Sequence, residues 1–66
     1  MSSHVAAELS VTAEHVDRYR QHIAALAAPL VGGAHDDVVA AIHEAERALR
    51  SAHRQLERAI KLLAFG

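Results

Sequence analysis

Val31-Gly32-Gly33-Ala34-His35 is the stretch that decides the fold. Gly32 and Gly33 can take the positive φ angles of a tight chain reversal. Just upstream, Pro29 lacks an amide proton and biases Ala28 away from helical geometry, so a helix arriving from the N-terminal side ends near Ala28. Just downstream, Asp36 is a good N-cap, and Asp37 adds negative charge at the positive end of a second helix dipole. Two helices and one reversal follow: helix 1 over about 4–28, a turn over 29–35 and helix 2 over about 36–64.

Outward from the turn, both arms carry the same apolar rhythm. Val5, Leu9, Thr12, Val16, Tyr19, Ile23, Leu26 and Leu30 alternate at spacings of four and three. So do Val38, Ile42, Ala45, Leu49, Ala52, Leu56, Ala59 and Leu63. This is the heptad seam of a coiled coil, with Leu9, Val16, Ile23 and Leu30 at a in helix 1 and Ile42, Leu49, Leu56 and Leu63 at a in helix 2. Folding the chain at Ala34 sets the two arms rung against rung, from Leu30–Val38 through Ile23–Ala45 and Val16–Ala52 to Val5–Leu63. Large residues of helix 1 then meet alanines of helix 2, which favours close approach. Ser2 or Ser3 is the expected cap of helix 1, with Thr12 a weaker, later start. The fold class is all-α: a single two-helix antiparallel hairpin, coiled-coil-like.

One seam does not use all the apolar surface. Ala6, Ala13 and Ala27 flank it in helix 1 at e positions, and Val39 and Ile60 do so in helix 2, interrupted by Arg20, Glu46 and His53. Near the turn the chain is apolar almost all round, through Leu30, Val31, Val38 and Val39, and a helix apolar all round is a buried one. A chain of 66 residues with no cysteine has few ways to stabilise itself other than association. The expectation is a homodimer packed as a four-helix bundle, with Ala6, Ala13, Ala27, Leu30, Val31, Val38, Val39 and Ile60 at the oligomer interface. A helical protein partner, making a heterodimer, is the variant of this reading.

Composition limits the other classes. The formal charge of −1 gives no general pull toward nucleic acid or an anionic membrane. The N-terminus has no basic region followed by an apolar core, and Ile23 to Val31 is too short to span a bilayer, so a cytoplasmic protein is expected, with export by a route lacking a cleaved signal left open. Arg47, Arg54 and Lys61 fall on successive f positions, with Arg50 and Arg58 beside them. This basic stripe could follow a phosphate backbone, which makes a small nucleic-acid-binding regulator the alternative function. Glu46 before Arg50 and Glu57 before Lys61 are spaced to neutralise part of it, and no aromatic residue interleaves it, so a solvated face is the favoured reading.

Six histidines invite a metal hypothesis. A di-iron bundle needs Glu-x-x-His, and the positions three before His15, His22, His43 and His53 hold Thr12, Tyr19, Ala40 and Arg50. His15 and His22, seven apart, read as boundary residues. No hydroxyl has a His–carboxylate pair at helical spacing, and Gly32-Gly33 lacks the Lys-Ser/Thr of a phosphate loop. No enzyme activity and no cofactor are expected. The expected function is a small structural, protein-interaction module that self-associates through helical packing.

With Val31-Gly32-Gly33 in the turn between two helices of similar length, the chain resembles the small Trp-Xaa-Gly helical hairpins of actinobacterial specialised secretion. Val31 stands where that family has tryptophan, and no Tyr-xxx-Asp/Glu motif follows helix 2. The resemblance implies a dimeric hairpin and carries over no functional residue.

Overall fold

The computed structural model describes residues 3–65. It contains α1 (Ser3–Ala27), a 3-10 turn (Ala28–Leu30) and α2 (Asp36–Phe65). Thirty helical residues alone span about 45 Å, and the whole chain measures 52 × 14 × 9 Å. The two helices therefore lie side by side as an antiparallel hairpin, and among the described residues there is no strand. The expected all-α hairpin is the fold.

The turn follows from its residues. α1 stops at Ala27, one residue before the expected end, and Pro29 sits in the first positions of the 3-10 turn, where its missing amide costs nothing. The amide of Val31 donates to the Ala28 carbonyl and that of Gly33 to the Leu30 carbonyl, both at 3.3 Å. Gly32 has φ +83°, a conformation that L side chains rarely adopt. α2 begins at Asp36, the expected start, but Asp36 is not its cap. The His35 carbonyl accepts the first helical bond from Val39 at 3.0 Å, so Asp36 lies inside the first turn rather than capping it. Asp37 Oδ1 accepts from the Val38 amide at 2.9 Å, and both carboxylates sit at the positive end of the helix dipole.

At the other ends, Ser3 is itself the first helical residue of α1, and the cap expected at Ser2 lies outside the described residues. Thr12 is no helix start. It lies mid-helix, its hydroxyl donating to the Glu8 carbonyl at 2.8 Å. α2 continues through Phe65, one residue past the expected end, while Gly66 lies outside the described residues.

Burial corrects the expected seam. In α1 and the 3-10 turn the protected series is Ala6, Leu9, Ala13, Val16, Arg20, Ile23, Ala27 and Leu30, with Asp17 and Ala24 half-buried beside it. In α2 it is Val39, Ile42, Glu46, Leu49, His53, Leu56, Ile60 and Leu63. The a positions are as expected, but their companions are the e positions; of the d positions only Ala59 is half-buried. Val5, Tyr19, Leu26 and Val38, expected in the core, are exposed. Matched in order along an antiparallel pair, these positions set Leu30 against Val39 at the turn and Ala6 against Leu63 at the open end. Large residues of α2 (Ile42, Leu56, Leu63) meet alanines of α1 (Ala27, Ala13, Ala6), the large-against-small logic of the expected seam with the helices' roles exchanged. The buried interior is thin. Ala13 (4% exposed) and Ala27 (2%) are the buried apolar residues among those described, and no side chain is fully enclosed.

Candidate functional interface

Choosing e over d gives the hairpin two unlike faces. On one, the d positions of both helices lie together, because the helices are antiparallel and each is rotated the same way about the shared a ridge. Val5, Tyr19 and Leu26 from α1 and Val38 from α2 project there, with Ala45 and Ala52 exposed beside them. Tyr19, near the middle of α1, is 65% exposed. Val31 in the turn and Leu62 and Phe65 near the end of α2 are further exposed apolar residues.

The opposite face is polar. Asp17 is its centre: Arg20 Nε donates to Oδ1 at 3.0 Å and Gln21 Nε2 to Oδ2 at 2.9 Å. The Arg20 hydrogen bond holds the Asp17 carboxyl below its ordinary range; desolvation opposes it, and the Arg20 charge, the neighbouring His53 and the Gln21 hydrogen bond add smaller lowering effects. Glu14, Asp17, Arg18, Gln21 and His53 line an open cleft of about 290 Å³ between the helices. His53 Nδ1 stands 3.7 Å from Glu57 Oε1. Arg20 and His53 start from seam positions and carry their polar ends out to this face, burying their stems on the way. Glu46 is the exception: it is 8% exposed, and its Oε1 pairs with His43 Nδ1 at 2.9 Å.

Six of the eight residues expected at an oligomer interface lie in the intramolecular seam instead: Ala6, Ala13, Ala27, Leu30, Val39 and Ile60. Only Val31 and Val38 of that set are exposed. The reason is geometric. Residues at d and at e both complete a four-three alternation with a, so spacing alone does not say which flank turns inward.

The basic stripe is where it was expected. Arg47, Arg50, Arg54, Arg58 and Lys61 are all exposed along α2. The carboxylates expected to neutralise it have other partners: Glu46 pairs with His43, and Glu57 lies beside His53. Arg47 is instead paired with Glu44 at 3.0 Å. Among the described residues no three of His, Cys, Asp or Glu converge to hold a metal ion, and no helix is long and apolar enough to cross a membrane.

Set against known protein families, curated proteins and solved structures, the chain matches none of them.

Proposed function

We propose that this chain is a protein-interaction module whose hairpin self-associates through helical packing and carries no catalytic machinery. One observation supports this most: among the described residues no side chain is fully enclosed, while a row of large apolar residues stays exposed along the hairpin. Two helices that bury so little cannot offset the entropy of ordering more than sixty residues, whereas burying the second apolar row against another chain adds the missing core. Folding is then coupled to assembly. Helicity followed by circular dichroism on dilution from about 100 µM to below 1 µM should fall in a concentration-dependent manner. Helicity and melting temperature that are independent of concentration would refute the reading.

A second reading rests on the basic stripe, because the glutamates spaced to neutralise Arg50 and Lys61 face histidines instead. In it, Arg47, Arg50, Arg54, Arg58 and Lys61 contact a phosphate backbone. Binding that weakens steeply with salt and is lost in the Arg47→Glu/Arg54→Glu variant would support it. Binding unchanged by that variant would remove it.

A further inference from the structure

The exposed apolar face has a built-in polarity. Its α1 half is a ridge of larger side chains, Tyr19 and Leu26, with Thr12 presenting its methyl group because its hydroxyl is already bonded to the Glu8 carbonyl. Its α2 half is small there: exposed Ala45 and Ala52 lie within two residues, about 3 Å along the axis, of the heights of Leu26 and Tyr19. The face is thus a ridge beside a groove, and the two have complementary profiles.

The occupant this face fits is a second copy of the chain. The accessible surface is 4978 Å² for a 7.1 kDa chain. A compact monomer of that mass exposes about 4,100 Å². The excess, roughly 900 Å², is close to the ~800 Å² that each partner buries in a standard stable interface. The opposite face, with Asp17, Arg20 and His53 engaged in polar contacts, offers no comparable apolar area.

Two faces of this kind can meet about a two-fold axis in only two ways. If the axis runs across the helices, α1 lies on the partner's α1, the turns point to opposite ends, ridge meets ridge and alanine meets alanine. If the axis runs along the helices, α1 lies in the partner's α2 groove at nearly matching height. Tyr19 then faces the partner's Ala52, Leu26 faces the partner's Ala45, and both turns share one end. Every pair of adjacent helices is antiparallel in both arrangements, so helix dipoles do not separate them and the ridge-and-groove shape does. We infer that the chain dimerises in this second way, ridge into groove, with the two Gly32-Gly33 turns side by side. The inference rests on the self-association proposed above and specifies its geometry.

The sequence contains no cysteine, so one spin label can be placed at the exposed turn by Ala34→Cys. Pulsed dipolar spectroscopy on the labelled chain then measures the distance between turns. Side-by-side turns place the labels within roughly 30 Å, from interaxial spacings of about 10 Å plus the label arms. Turns at opposite ends of a molecule 52 Å long place them near that length. A short distance, lost on dilution with unlabelled chain, supports the inference. A distance near 50 Å overturns the geometry while keeping self-association. No dipolar coupling at any concentration overturns both.

Discussion

His43 Nδ1 and Glu46 Oε1 lie 2.9 Å apart on α2, joining an exposed imidazole to the one buried carboxylate among the described residues. Glu46 occupies an e position, on the flank that packs against α1. An ionised group there is costly unless it is bonded, and an apolar residue of similar size in its place is commonly neutral or stabilising. Glu46→Leu should therefore raise stability by about 1–2 kcal/mol in urea titration. His43→Ala should lower it by about 1–2 kcal/mol, because the carboxylate loses its partner but stays buried. If Glu46→Leu is destabilising, Glu46 does not lie on the inner flank.

The choice of seam can be tested with alanines alone. Ala13 is buried between the helices and Ala7, in the same helix, is exposed. Leucine at position 13 overpacks the layer with Leu56, at a cost of about 1–3 kcal/mol. In a domain of this size that lowers the melting temperature by about 5–20 °C. Ala7→Leu has the same change in helix propensity and should shift stability by less than about 0.5 kcal/mol. Equal effects in thermal melts would contradict the burial pattern.

How much of this was legible in the sequence depends on the element. Gly32 and Pro29 each allow few backbone conformations, so the turn and both helix ends could be read to within a residue or two. The a positions were legible because Leu, Ile and Val recur there without interruption. The flank was not. Arg20, Glu46 and His53 at e argue against burial when read as letters, and the rotation that buries their stems while freeing their charged ends is a property of the packed pair. Size carried a usable signal: at e, Ala6, Ala13 and Ala27 of α1 oppose the bulkier a residues Leu63, Leu56 and Ile42 of α2. The same ambiguity put Ala6, Ala13, Ala27, Leu30, Val39 and Ile60 on a flank assigned to a second chain, though the hairpin protects that flank itself.

The two turn glycines should respond differently to substitution. Gly32 sits at φ +83°, so alanine there is strained and should cost about 1–2 kcal/mol. At Gly33 an added Cβ meets only the Leu30 carbonyl oxygen, at an ordinary 3.5 Å. Gly33→Ala should be neutral or stabilising by up to about 1 kcal/mol through the unfolded chain. Denaturant midpoints of the two variants provide the check.

Acid should act through Asp17. Its carboxyl is held below the ordinary range by the Arg20 hydrogen bond, so the folded state binds that proton less readily than the unfolded state does. The stabilisation is present above the unfolded value and is lost as pH falls through the folded one, that is, below about pH 4. Asp17 is solvent-accessible, which keeps the effect small. Asp17→Asn should flatten the acid limb of a stability–pH profile and leave its neutral-to-basic limb unchanged. An unaltered acid limb would mean the Arg20 contact does not persist in solution.

Ala52→Glu separates the two apolar surfaces. Ala52 is exposed in the hairpin, so the substitution leaves the a/e seam intact and puts a charge in the groove where a second copy would lie. Weakened association, read as a concentration-dependent melting transition displaced to higher protein concentration, is the expected result. Unchanged association would move the interface elsewhere.

The most direct test of the central claim is the mass of the folded species by sedimentation equilibrium at micromolar concentration. A helical particle of about twice the 7.1 kDa chain mass is the expected result. A fully helical species at the single-chain mass, stable on further dilution, would contradict it.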